Sequence, residues 1–175
     1  MRFERILLEG AFLIHDDSSP DERGTFNRVF SADEFESKGI PRSFVQMGLS
    51  RTPKRGTLRG MHFQHAPNAE GKLVRCLRGR AFDAIIDLRR GSKTFKQTFT
   101  VDLSPEANFA LYIPPGLAHG FLTLTDDVEM LYAMTENYVA ELADGVRWND
   151  AAFQIAWPES VILVSQRDCS FKDFA

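Results

Sequence analysis

Arg55-Gly56-Thr57-Leu58-Arg59-Gly60-Met61-His62-Phe63-Gln64 is a strand-like run that carries two arginines, two glycines, a histidine and a glutamine among Leu58, Met61 and Phe63. A strand buried on both faces would not hold Arg59 and His62, and a plain surface strand has no need of Gly56 and Gly60. The run reads as one wall of a polar cavity. A period of two puts Gly60, His62 and Gln64 on one face and Arg59 on the other. For Arg59 and His62 to reach the same cavity the alternation has to break, and Gly60 is the natural place for a bulge.

Strand signals continue on both sides of this run. Thr94 to Leu103 alternates, with Phe95, Phe99, Val101 and Leu103 on one face and Thr94, Lys96, Thr98, Thr100 and Asp102 on the other. Residues 72–77, 81–88, 108–113, 120–124 and 128–134 are further short apolar runs. Between them lie Arg78-Gly79-Arg80, Arg90-Gly91-Ser92, Pro114-Pro115-Gly116 and Thr125-Asp126-Asp127, all turn chemistry. Upstream, residues 5–8 and 11–14 read as strands broken at Gly10. Ser31-Ala32-Asp33-Glu34 has the capping-box pattern, and with Gly39 behind it predicts one short helix over 32–38. Residues 140–175 are mixed and predict packing segments with a short helix. Many short strands with regular turns give a mainly β protein, a sandwich or barrel with few helices. No repeat or linker divides the chain, so one domain is expected over 1–175.

The bulk properties narrow the class. A chain of 175 residues, 43% apolar and 26% charged, can bury a sizeable core. A net charge of −3 argues against a general nucleic-acid binder. Two cysteines, Cys76 and Cys169, make no disulfide framework and point to the reducing cytoplasm. Ile6-Leu7-Leu8, flanked by Glu4 and Glu9, is neither a signal peptide nor a membrane span.

The residues that could carry chemistry each have a plainer reading. His62 alone would be a structural histidine; Arg59 and Gln64 beside it weigh against that. Pro114-Pro115-Gly116-Leu117-Ala118-His119 fits the second half-motif of cupins, in which the histidine joins a His-x-His pair on a metal. Here that pair reads His62-Phe63-Gln64, and His65 is one position out, toward the other face. Two histidines and an amide make a poor zinc or iron site, so no metal and no cofactor are expected, and the chemistry is acid–base. Lys72 is a solvated strand-end lysine or an ammonium beside a forming oxyanion. Tyr132 is a core tyrosine or a phenolic proton donor. Asp168 is a surface carboxylate or the group that orients an imidazole. Spacing alone does not choose.

Taken together, these segments resemble the dTDP-4-dehydrorhamnose 3,5-epimerase family, a branch of the cupins, from about residue 5 to Asp168. The landmarks are Asp21-Glu22-Arg23-Gly24-Thr25-Phe26, Leu58-Arg59-Gly60-Met61-His62-Phe63-Gln64, Gly71-Lys72-Leu73-Val74-Arg75, Ala118-His119-Gly120-Phe121, Leu131-Tyr132 and Gly145-Val146-Arg147-Trp148-Asn149-Asp150. The resemblance implies a jelly-roll in a homodimer and a nucleotide-linked 4-keto-6-deoxyhexose as substrate. It implies His62 as general base with Asp168 behind it, Tyr132 as proton donor on the opposite face, and Lys72 at the enolate. Arg59 and His119 would hold the diphosphate, Gln46 would contact the nucleoside, and Tyr138 would help bind the nucleotide sugar. Arg23 and Phe26 would reach in from the partner subunit.

The chemistry is coherent by itself. Hydrogens on carbons flanking a ketone are acidic because the anion spreads onto oxygen. C3 and C5 both flank a C4 ketone, so inversion needs a base on one face, an acid on the other and a cation at the oxygen. An imidazole with an unperturbed pKa of about 6.5 suits the task. Two departures bear on the substrate. Arg28 stands where the family has a glutamate, and Met47-Gly48-Leu49 stands where it reads Asp-Asn-His or similar. They leave open a single-centre epimerase (C3 or C5) on a CDP-, GDP- or dTDP-linked ketosugar; readings from other classes are a non-catalytic sugar-nucleotide-binding cupin and a metal-dependent cupin oxygenase.

Overall fold

Short amphipathic strands separated by tight turns pair into two facing sheets in a computed structural model of the protein, which describes residues 1–174. The first half of the chain holds β1 (Arg2–Arg5), β2 (Phe12–His15), β3 (Asp17–Asp21), β4 (Gly24–Arg28), helix α1 (Ala32–Glu36), β5 (Gln46–Thr52), β6 (Thr57–Gln64), β7 (Lys72–Arg78) and β8 (Ala81–Asp87). The second half holds β9 (Thr98–Leu103), β10 (Phe109–Ile113), β11 (Leu117–Thr123), β12 (Val128–Met134), β13 (Ala143–Gly145), β14 (Leu163–Val164) and helix α2 (Gln166–Ser170). One sheet has the order β1-β2-β10-β7-β12-β5 and the other β13-β6-β11-β8-β9, with β14 parallel to the start of β6. The non-consecutive neighbours are the crossovers of a cupin jelly-roll, the mainly β fold with few helices expected from the sequence.

The core lies between the sheets. Val74, Leu111, Ile113 and Met130 of one sheet form a cluster with Ile85, Leu103, Leu117 and Phe121 of the other. Each such side chain contributes about 1.5–3 kcal/mol on full burial. Phe35 of α1 and Ile40 cover the outer side of β2 and β10 through Phe12, Ile14 and Tyr112. The C-terminal segment covers the second sheet, where Val146 and Phe153 meet Met61, Ala84, Ile86 and Ala118. One end of the space between the sheets stays open and polar, and the site lies there. No helix among the described residues is long and apolar enough to cross a membrane.

Several local expectations are corrected. The strand read over 94–103 begins only at Thr98. Upstream of it the chain wraps the Asp87 carboxylate, which accepts from the hydroxyls of Ser92 and Thr94 and from Arg89. Lys96 takes a left-handed φ of 65°, and Phe95 leaves the strand face to meet the ring of Phe174. The first two strands sit about three residues before and one after the runs 5–8 and 11–14, because Gly10 and its neighbours form the turn. The helix is shorter than 32–38, and its capping box is not made. Ser31 makes no side-chain cap, and Glu34 instead binds the Met1 ammonium at 2.6 Å.

Candidate active site

The alternation of β6 breaks at Gly60. In the ladder with β11, Arg59 pairs with Phe121 and His62 with His119, so Gly60 and Met61 together oppose Gly120. This is a β-bulge, and it brings residues three apart onto one side. Gly60 has φ +136°, and a Cβ there would lie 2.5 Å from the Cα of Gly120. Only glycine allows the two strands this approach. As a result Arg59 and His62 line the same cavity.

Two adjoining cavities of about 350 and 540 Å³ share Ser50, His62, Lys72, Tyr132 and Arg167 in their walls. His62 comes from the second sheet. Lys72 and Tyr132 come from β7 and β12, adjacent strands of the first sheet, with Lys72 opposite Met134 in the register. The imidazole therefore lines the cavity from one side of the sandwich, and the ammonium and the phenol line it from the other. Gln46, Gly48 and Ser50 line the same space from β5, where Gly48 pairs with Tyr132.

Nε2 of His62 lies 2.8 Å from Oδ1 of Asp168, while the N–H of Gly60 donates to the other carboxylate oxygen at 3.1 Å. Helix α2 carries Asp168, and its cap is Ser165, whose hydroxyl accepts from the Asp168 N–H. The Asp168 side chain is 5% exposed and that of His62 is 39% exposed, so the carboxylate sits behind an imidazole that faces the cavity. Burial alone would raise the Asp168 carboxyl. The hydrogen bond and charge of His62 and the Gly60 N–H outweigh that and hold it below the usual carboxylate range. An ionised carboxylate only accepts, so Nε2 carries the proton and Nδ1 presents the lone pair.

His119 is buried and bonds Asp83 at 2.8 Å. Burial pushes the Asp83 carboxyl upward against the opposing charge of His119. The rings of His119 and Tyr132 meet edge to face at 5.9 Å and so link the two sheets. Burial, and after it the charge of Asp83, pushes the Tyr132 phenol far above its ordinary value. It is held in the neutral form, as a proton donor must be.

Lys72 is paired with Glu70 at 2.5 Å. Arg59 donates to the Thr52 hydroxyl at 3.1 Å, and Arg167 lies over the Phe171 ring and donates to the Ala143 carbonyl at 3.3 Å. These two guanidiniums pair with no carboxylate among the described residues. They are the cations left for an anionic ligand.

The other expected residues divide into two groups. Gln46 and Tyr138 line the smaller cavity together, and the Gln46 side-chain oxygen accepts from the Tyr138 N–H at 3.0 Å. Arg23 and Phe26 do not reach the cavity of their own chain. They sit on the β3–β4 hairpin, which pairs only with itself, and Phe26 is 73% exposed. Gln64, in the place of a second cupin histidine, is spent on the fold. Its amide donates to the Asn68 and Asn137 carbonyls and accepts from the Val139 N–H. His65 is exposed and bonds Asp144. Among the described residues no group of three or more His, Cys, Asp or Glu is placed to hold a metal.

Sequence reading missed Glu70, Asp83, Arg167 and Ser50. Glu70 and Arg167 each neighbour a residue already singled out, which was the available signal. Asp83 lies in an apolar run with no such mark.

Comparison with known proteins places the chain in a family. The family model described as dTDP-4-dehydrorhamnose 3,5-epimerase matches residues 5–175. The chain belongs to this family. It is an isomerase by this membership. A dTDP-4-dehydrorhamnose 3,5-epimerase from Methanothermobacter thermautotrophicus is 39% identical over 174 residues, covering 98% of this chain and 93% of that protein. The crystal structure of the Bacillus anthracis epimerase, with TDP and PPi bound, superposes with a TM-score of 0.94 at 35% identity, covering 99% of both chains. A 3'-monoepimerase from Streptomyces bikiniensis in complex with dTDP-quinovose gives a TM-score of 0.89 at 31% identity, covering 97% of this chain and 86% of that one.

Proposed function

We propose that this member of the family inverts C3 and C5 of dTDP-4-dehydro-6-deoxyglucose to give dTDP-4-dehydrorhamnose, by acid–base catalysis that uses no metal or redox cofactor. The observation that carries the proposal is the His62 imidazole of one sheet, backed by Asp168 of α2, facing Tyr132 and Lys72 of the other sheet across a shared cavity.

His62 Nδ1 removes the proton next to the C4 ketone, and Asp168 stabilises the imidazolium that forms. The electron pair moves onto the C4 oxygen, where Lys72 supplies the positive charge. Tyr132 returns a proton to the opposite face of the same carbon and is left as a phenolate. Solvent then restores Tyr132 and takes the proton from His62. The same set acts at the second carbon after the ring turns or shifts. Arg59 and His119 bind the diphosphate, and Arg167 joins them as the second unpaired guanidinium. Gln46 and Tyr138 bind the nucleoside end.

The working unit is a homodimer. Val29, Phe30, Phe44, Met47, Leu73, Leu131 and Ala133, with the Asp16-paired Arg75 among them, form a mostly apolar groove on the outer side of β5, β7 and β12. β5 is an open edge, and the lone hairpin β3–β4 is too small to be stable by itself. A second copy would cover the groove and carry its Arg23 and Phe26 to this site.

The test is deuterium uptake from D₂O, followed by NMR of the sugar protons of dTDP-4-dehydro-6-deoxyglucose. Loss of both the C3 and C5 signals is expected. Loss of one makes the protein a single-centre epimerase, the activity named for the Streptomyces relative. Exchange only with a CDP- or GDP-linked sugar moves the nucleotide, and no exchange with binding leaves a sugar-nucleotide-binding cupin.

A further inference from the structure

Each titratable base in the cavity has its own carboxylate: Asp168 for His62, Asp83 for His119, and Glu70 for Lys72. The first two carboxylates sit behind imidazoles. Asp83 lines neither cavity and Asp168 only the larger one, whereas Glu70 lines the smaller cavity together with Lys72, His62 and Tyr132, and its partner is an ammonium rather than an imidazole. Its side chain is 11% exposed and that of Lys72 is 10% exposed. A buried charge pair of this kind is costly to desolvate and does not follow from stability alone.

The backbone fixes the pair. Gly71, between them, donates to the Thr135 hydroxyl at 2.7 Å and accepts from the Thr135 N–H at 3.0 Å. A Cβ at Gly71 would lie 3.0 Å from the Tyr112 hydroxyl and 3.3 Å from Thr135 Cγ2. This clamp ties the segment to the end of β12, the strand that bears Tyr132. Glu70 and Lys72, two apart, are turned the same way into the cavity.

We infer that Glu70 is a positioning residue that tethers the Lys72 ammonium at the place where the oxyanion forms; this rests on the reading of Lys72 given above. A lysine is a point charge on a flexible four-carbon stem. The substrate brings a diphosphate, whose charge exceeds that of a developing enolate. Without a tether, Lys72 would swing to the diphosphate beside Arg59 and Arg167. Glu70 holds it back and offsets part of its pull on the diphosphate. The residue thus weakens ground-state binding and favours the chemical step, which is the direction catalysis requires.

The experiment compares wild-type protein with E70Q, E70D, K72M and the double variant K72M/E70Q, by steady-state kinetics, deuterium exchange and dTDP titration by calorimetry. E70Q keeps the size of the side chain and removes its charge. It should lower kcat about 10–100-fold, as expected for a misplaced catalytic group. KM and the dTDP dissociation constant should fall rather than rise. E70D, with the charge but a shorter reach, should retain more kcat than E70Q. In the K72M background, E70Q should cost nothing further. Unchanged kcat and KM in folded E70Q would overturn the inference. So would an undiminished E70Q effect in K72M, which would place Glu70 on the substrate itself. If the wild-type protein exchanges no proton, the proposed function fails, and the dTDP titration still decides on Glu70: equal affinity in wild type and E70Q refutes the tether.

Discussion

The imidazole of His62 and the carboxylate of Asp168, separated by 106 positions in the chain, meet at 2.8 Å. The carboxylate also accepts from Gly60, so one group fixes both the ring and the bulge that aims it. Asp168→Asn would present a donor to Nε2 and favour the wrong tautomer. Deuterium exchange should fall about 10²–10⁴-fold with the fold intact by circular dichroism. Exchange within a few-fold of wild type would remove Asp168 from the mechanism.

Tyr132→Phe keeps the ring against His119 and removes only the hydroxyl. Proton removal by His62 should survive, while inversion should drop about 10²-fold. The ratio of deuterium incorporated to sugar inverted should therefore rise, as read by NMR of the recovered sugar. A parallel loss of both would mean that Tyr132 acts before the enolate forms.

Gly60→Ala places a methyl on Gly120 in a backbone conformation that L residues rarely adopt. It should lower stability by about 3 kcal/mol in urea unfolding and abolish exchange, because Arg59 and His62 would no longer share a cavity. A stable and active Gly60→Ala protein would show that the bulge is dispensable.

Met47 is 64% exposed at the edge of the apolar groove on β5. Light scattering should give the wild-type protein twice the mass of the chain. Met47→Glu should shift it toward the monomer and reduce exchange, since Arg23 and Phe26 would no longer be delivered. A monomeric wild-type enzyme with full activity would refute the shared site.

Burial acts to raise the Asp87 carboxyl, but Arg89, Ser92 and Thr94 outweigh it and hold the group well below the ordinary range. A depressed carboxyl contributes stability that is complete above its unfolded pKa of about 3.9 and is lost as pH falls through the folded value. Asp168 acts in the same sense and Asp83, raised by burial, in the opposite one. Asp87→Asn should lower the urea midpoint at pH 7 and flatten its decline below about pH 4. An acid limb of unchanged slope would rule Asp87 out as its source.

The sequence by itself carried the fold class, because strand periodicity, turn residues and the cupin half-motif are local. It also carried His62, Lys72, Tyr132 and Asp168 as candidates, and the requirement that the strand break at Gly60. It misread 94–97, where polar hydroxyls turn to the Asp87 carboxylate and override an alternating pattern. It misread the helix cap, because the Met1 ammonium competes for Glu34. Only the tertiary structure decided which plain readings to discard. Whether a lysine is solvated, a tyrosine merely packed or an aspartate merely exposed depends on what faces it across the sandwich, and the facing residues lie tens of positions away. The pairing of His119 with Asp83, 36 positions apart, belongs to that second class, for such a charge pair is set by distance in space and leaves no periodic trace along the chain, whereas Glu70, two before Lys72, was within reach of the sequence.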